Sequence, residues 1–340
     1  MRTRALIALC SLLVGAIPCT LRASTGQERA ESAGRTLIGS MAPALKLTTI
    51  DGKTIDLGSL YGRKAVYLKF WATWCVPCRQ QMPHFESTYE HAGKDLAVIA
   101  INAGFNDTID DVKAYRQTVG LKMPIAIDDG RLADALHLRV TPQHIVIGRD
   151  GRILYIGHLA DDKLEAALRS ARAEPARSVT VSLVSARPSL GPALGESVPT
   201  ASVRSTEGID VPLRDPAAAR ATVIMFLSPW CESYLAESRP QRSAACKAAR
   251  EQSEQLAREG RARWVGIASG LWASADDLAE YRDKNHISIP LSLDDSGALF
   301  RTFGVTNVPT LVVIDASGKV AARIDRVTTH LAAQLEPTMH

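Results

Sequence analysis

Cys75-Val76-Pro77-Cys78 follows KAVYLKFW at 64–71, a run rich in apolar and aromatic residues, after three intervening residues. Two thiols at that spacing, at the start of a helix, can close a disulfide with little backbone movement. The run before them reads as a buried strand, so Cys75 falls at a strand-to-helix turn. There the free backbone N–H groups and the helix dipole favour thiolate over thiol. Cys78 lies a turn inside and is expected to be more shielded. This assigns attack on a partner disulfide to Cys75 and resolution of the mixed disulfide to Cys78. Half a zinc site is the first rival, but it needs two more ligands, and the chain has no second CxxC or HxxxH. A structural disulfide is the second, and it has no need of Trp71, Trp74 and Pro83 around it.

The elements that must hold this pair follow from pattern. Residues 78–91 read as one helix with Met82, Phe85 and Tyr89 on one side. LAVIAIN at 96–102 is a second buried strand, 109–119 a helix, and 144–147 with 152–157 a hairpin around Asp150-Gly151. A helix at 164–171 closes the unit. Strands alternating with helices, then an antiparallel edge, make an α/β unit with a mixed sheet covered on both faces.

The chain then repeats. Gly39 and Pro43 recur as Gly195 and Pro199, Asp51-Gly52 as Glu207-Gly208, and Trp74-Cys75 as Trp230-Cys231, each 156 residues on. Pro142 recurs as Pro309 and Asp150-Gly151 as Ser317-Gly318, 167 residues on. The second copy has therefore gained about a dozen residues after Cys231. Tyr234 stands where its second cysteine is due. Aligning strand 96–102 with the one near 264–269 gives an offset of 168, which carries Cys78 onto Cys246. On one straight helix Cys231 and Cys246 would be about 22 Å apart, too far to bridge. Pro240 and Ser228-Pro229 argue against such a helix. We expect the two cysteines to be neighbours across an inserted loop at 232–243, with Cys231 in a loop rather than at a helix start. The pair is then structural or slowly exchanging.

The 340 residues suit two domains. A net charge of +4 with scattered Lys and Arg gives no reason to expect nucleic acid. Arg2 and Arg4, the apolar stretch 5–17 and the polar stretch 24–35 have the layout of a secretory signal peptide, cleaved after Ala23. Pro18 argues against a lipid anchor at Cys19. An exported chain with four remaining cysteines, Cys75, Cys78, Cys231 and Cys246, suggests pairing and a periplasmic location. The expected boundaries are a signal peptide at 1–23, a flexible segment at 24–37, domains at 38–171 and 194–336, and a linker at 172–193, in which 179–184 alternates like a short strand.

Phe70-Trp71-Ala72-Thr73-Trp74-Cys75-Val76-Pro77-Cys78, Pro83 in the next helix, and Thr141-Pro142 downstream resemble the TlpA/ResA branch of the thioredoxin superfamily. Ile38-Gly39 to Pro43, then Asp51-Gly52, resembles its entry segment. The likeness covers residues 38–170 strongly and 194–336 more weakly. It implies two tandem thioredoxin-like domains. It also implies that Pro142 is cis and faces the dithiol, that the Thr141 backbone pairs with the substrate strand, and that Trp74 and Pro77 support the site. Pro309 would be the counterpart in the second copy. Thioredoxins hold a buried carboxylate six residues before the first cysteine; here that position is Lys69. Its charge could favour the thiolate, or its stem could snorkel to solvent, and the second is expected.

The reading is thus a periplasmic protein disulfide reductase without a cofactor or metal. Its partners are disulfide-containing clients and an upstream membrane-bound or periplasmic dithiol donor. One alternative is a thiol peroxidase on the same fold. That pattern wants Pro seven and Thr three residues before the reactive cysteine, where the copies offer Leu68 with Ala72 and Ile224 with Ser228. The other makes the second copy a client- or copper-binding module. His84, His137, His144, His158 and His286 lack ligand spacing with the cysteines. Asp128-Asp129-Gly130 and Asp294-Asp295-Ser296-Gly297 read as turns.

Overall fold

A computed structural model of the chain describes residues 25–175, 179, 191–215, 220–328 and 330–338. The expected signal segment, with Cys10 and Cys19, lies outside the described residues, as does most of the expected linker and of its alternating stretch.

The chain enters through helix α1 (Gly26–Gly34), where a flexible segment was expected. Thr25 and Glu28 form a capping box at its start. The Gln27 side chain accepts from the backbone of His158 and Leu159, which fixes the helix along the sheet edge. A short hairpin of β1 (Lys46–Thr48) and β2 (Thr54–Asp56) follows.

The first sheet is built around β3 (Ala65–Trp71), all seven of whose residues are buried. It runs parallel to β4 (Leu96–Asn102), which runs parallel to β5 (Ile125–Ile127). On its other side lie β6 (Gln143–Ile147) and then β7 (Ile153–Gly157), both antiparallel to their neighbours. The order is β5-β4-β3-β6-β7. Helices α2 (Val76–Gln80), α3 (Met82–Glu90), α4 (Ile109–Val119), α5 (Arg131–Ala135) and α6 (Asp162–Ala173) accompany it. The single helix expected over 78–91 is two. It opens at Val76 and breaks at Gln81, because Pro83 has no N–H to give to the Arg79 carbonyl.

The second domain repeats the plan. A hairpin of β8 (Ser202–Arg204) and β9 (Asp210–Pro212) precedes a five-stranded sheet. Its strands are β10 (Thr222–Leu227), β11 (Arg263–Ser269), β12 (Leu291–Asp294), β13 (Thr310–Ile314) and β14 (Val320–Ile324), in the order β12-β11-β10-β13-β14. Parallel and antiparallel pairings match those of the first sheet. Its helices are α7 (Cys231–Tyr234), α8 (Pro240–Arg258), α9 (Ala275–Lys284), α10 (Ala298–Thr302) and α11 (Leu331–Leu335).

The two domains share apolar packing. One cluster runs from Tyr67 and Trp71 through Trp74, Phe105 and Phe300 to Phe226 of the second sheet. Ring centroids are 6.0 Å apart for Phe105–Phe300 and 5.0 Å for Phe226–Phe300. Among the described residues no helix is long and apolar enough to cross a membrane.

Candidate active site

Strand β3 ends at Trp71, and the chain turns through Ala72–Trp74 to place Cys75 at the N-cap of α2. Cys75 and Cys78 are joined by a disulfide, S–S 2.02 Å, Cα–Cα 5.2 Å. The Cys78 N–H points at Cys75 Sγ, 3.3 Å away, so a negative sulfur at Cys75 meets a helix-start donor. Cys75 Sγ lies 3.4 Å from the Thr141 carbonyl oxygen. The Thr141–Pro142 peptide is cis, as is Val308–Pro309 in the second domain. Pro77 occupies the first turn of α2, where no N–H is needed.

Beneath the pair runs a buried polar chain. The Tyr67 hydroxyl is 2.7 Å from His144 Nδ1, and His144 Nε2 is 2.7 Å from Gln81 Oε1. A neutral imidazole with Nε2–H donating and Nδ1 accepting fits both. Burial pushes the His144 pKa well below its ordinary value, and the Lys69 charge pushes the same way. His158 Nδ1 is 2.7 Å from the Pro142 carbonyl and so braces the proline loop.

Lys69 does not snorkel. It is 0% exposed, on the central strand, with Nζ 3.5 Å from the Cys78 carbonyl and 5.5 Å from the Phe85 ring centroid. Every residue of β3 is covered on both faces, so its stem has no route to water. Desolvation lowers its pKa to about 7.

The second domain sits over all of this. Cys75 is 1% exposed, Cys78 0%, Trp74 2% and Thr141 0%. Trp230 stacks on Trp74 with centroids 4.9 Å apart. The Tyr234 hydroxyl accepts from the Val76 N–H at 2.9 Å, at the mouth of α2. Trp272 donates from its ring to Thr141 Oγ1 at 3.2 Å and from its backbone to the Arg139 carbonyl at 2.9 Å. In the opposite direction, Asn106 donates from its backbone to the Thr306 carbonyl at 2.8 Å and accepts from the Val308 N–H through Oδ1 at 2.9 Å. Arg239 reaches across to Asp107, 2.7 Å, and to Thr73 Oγ1, 2.6 Å. The Asp107 carboxylate is buried and also accepts from the Thr73 N–H and Asn102. The expected contrast between an open Cys75 and a shielded Cys78 is therefore absent: the cover buries both.

Cys231 and Cys246 form the second disulfide, Cα–Cα 6.2 Å. Cys231 opens the four-residue helix α7 rather than leaving from a loop, and Cys246 lies inside α8, which begins at Pro240. The bond ties the two helices on either side of the segment that carries Tyr234 and Arg239. Pro309 begins the approach to β13, as Pro142 does for β6. Asp128 and Asp294 do turn work, accepting from backbone N–H groups of Leu132 and Ala133 and of Phe300.

The AhpC/TSA family matches residues 38–156. The thiol–disulfide oxidoreductase ResA of Bacillus thuringiensis is 35% identical over 136 residues, 39% of this chain and 77% of that protein. The chain belongs to the ResA-type thiol–disulfide oxidoreductases. ResA of Bacillus subtilis is 31% identical over 120 residues, 35% of this chain and 65% of that protein. A solved thiol:disulfide interchange protein of the thioredoxin family from Chlorobium tepidum TLS is 26% identical, covering 40% of this chain and 97% of that one, TM-score 0.35. The chain has the thioredoxin fold of these oxidoreductases and carries a Cys75–Cys78 disulfide. Sequence reasoning missed Tyr234, Arg239 and Trp272 as residues of the site. Tyr234 left a signal, because it replaces a cysteine at the aligned position; Arg239 and Trp272 left none.

Proposed function

We propose that this protein is an exported, periplasm-facing protein disulfide reductase with domains at about 38–171 and 194–336, delivered by residues 1–23. The observation that carries the reading is the Cys75–Cys78 disulfide at the mouth of α2, facing Thr141–Pro142. In the reduced protein the Cys75 thiolate attacks a client disulfide. One client sulfur leaves as thiolate, and a Cys75–client mixed disulfide forms. Cys78, as thiolate, then attacks Cys75 Sγ. The client leaves with both sulfurs reduced, and the Cys75–Cys78 disulfide is restored. Two electrons have moved to the client, and an upstream dithiol donor returns them. Trp74 and Pro77 shape the helix mouth, and the Thr141 backbone receives the client strand. Leu68 and Ala72, where a peroxidase needs Pro and Thr, speak against peroxide chemistry.

The test is transfer from the reduced protein to a disulfide-bonded protein such as insulin, with a midpoint potential for the Cys75–Cys78 couple. Client reduction and a potential more negative than the compartment support the reading. A potential above it, with net oxidation of reduced clients, would make the protein an oxidase instead.

A further inference from the structure

In a chain that works on protein disulfides, the reactive pair is sealed by the chain's own second domain. A client strand needs the backbone beside Thr141, and Trp272 already occupies it through Arg139 and Thr141. A client disulfide must approach Cys75 at the mouth of α2, and there the Tyr234 hydroxyl already sits on the Val76 N–H. Turnover on a protein therefore requires the second domain to move.

Two of the contacts that hold it come from one short segment. Tyr234 closes α7, and Arg239 is the residue before α8. Helix α7 is a single turn of four residues, too short to persist without outside support. The Cys231–Cys246 bond supplies part of that support by fastening the start of α7 to α8. Both residues are buried, Cys246 the less so at 8% exposure against 0% for Cys231, so attack is assigned to the Cys246 side. The segment has further ties. Arg250 grips Glu232 with two bonds of 2.8 and 3.0 Å, and Tyr281 donates to the same carboxylate at 2.6 Å. None of these ties uses the sulfurs, so breaking the disulfide removes one of several holds on the segment and leaves the domain's own packing in place.

We propose that the Cys231–Cys246 disulfide is a redox latch: oxidised, it keeps Tyr234 and Arg239 clamped over the Cys75–Cys78 pair, and reduced, it releases them and admits protein substrates. The reductant is an external dithiol. Its thiolate attacks Cys246 Sγ, Cys231 leaves as thiolate, and the second thiol of the reductant closes on the first. The reductant ends as a disulfide and the latch as two thiols, with two electrons and two protons transferred. This rests on the dithiol reading of Cys75–Cys78 given above.

The test compares reductants of two sizes on the oxidised full chain. One is dithiothreitol; the other is a reduced thioredoxin-fold protein. Initial rates of Cys75–Cys78 reduction are read by differential alkylation and peptide mapping. The variants are Cys231→Ser with Cys246→Ser, and Tyr234→Ala with Arg239→Ala, the second keeping the disulfide. The second decides if the first is misfolded by circular dichroism. We expect the protein reductant to act about tenfold or more faster on either variant than on the wild type, while the dithiothreitol rate changes by less than about threefold. Equal rises for both reductants, or no rise with the protein reductant, overturn the latch and leave the dithiol reading intact. If dithiothreitol cannot reduce Cys75–Cys78 in any form, the dithiol reading itself falls, and the latch with it.

Discussion

Replacing Lys69 by Met removes an amine from a place that gives it almost nothing. Among the described residues its hydrogen-bond partner is the Cys78 carbonyl at a long 3.5 Å, and its other neighbour of note is the Phe85 ring. Burial takes its pKa from 10.5 to about 7. The unfolded chain therefore holds a proton that the folded chain has lost between about pH 7 and 10.5, and stability rises with pH across that window. Below pH 7 both states are protonated and the whole cost of burying the charge is present. At 1.36 kcal/mol per pH unit the gap corresponds to roughly 5 kcal/mol at pH 6, falling to roughly 2 kcal/mol near pH 9. Met has a similar length and no charge, so Lys69→Met should be more stable than the wild type by these amounts. Urea unfolding of both oxidised proteins across this pH range measures it, since the difference cancels the other titrating groups. Parallel curves, with a gap that does not shrink as pH rises, would refute a buried amine of low pKa.

Three further outcomes are expected. Cys78→Ala, in the Tyr234→Ala, Arg239→Ala background that opens the cover, should accumulate covalent complexes with disulfide-bonded clients, seen on non-reducing gels, where Cys75→Ala with Cys78→Ala in the same background gives none. Gly104→Ala should lower stability by roughly 2–4 kcal/mol, read as a fall in melting temperature; its φ is +64° and an added Cβ meets the Asp128 carbonyl oxygen. Glu232→Gln should cost about 1–3 kcal/mol in chemical denaturation, because the buried-side Arg250 loses a paired charge-assisted grip.

Much of the architecture was legible because it is written in local pattern. KAVYLKFW and LAVIAIN are runs dominated by apolar residues, and they supply the buried strands β3 and β4. The repeat offsets brought Cys231 and Cys246 together, since an insertion changes numbering and not the place of the flanking strands. The break at Gln81 was hidden because Pro83 sits early enough to look like a helix-start proline. The burial of Lys69 was misjudged for a different reason. Snorkelling depends on what lies beyond the strand, and α2 and α3, though next in sequence, fold back over Lys69 and put the Cys78 carbonyl and the Phe85 ring against its amine. The cover over the dithiol had the same origin. Trp230, Tyr234, Trp272 and Arg239 each look ordinary on their own segment, and only folding sets them against Trp74, Val76, Thr141 and Asp107.

The hydrogen bonds Trp272 N–H to Arg139 and Asn106 N–H to Thr306 are the same contact made twice, in opposite directions, by loops at matching positions of the two halves. Such reciprocity is the mark of a two-fold dimer, here joined into one polypeptide. Joining the halves replaces a bimolecular association by an intramolecular one, with an effective concentration on the order of millimolar for a short tether. Dilution then cannot separate them, and the closed fraction is the same at any protein concentration. Because each half has its own stretch of sequence, one holds its two cysteines three residues apart while the other holds them fifteen apart with Tyr234 at the near position, an inequality closed to a pair of identical subunits.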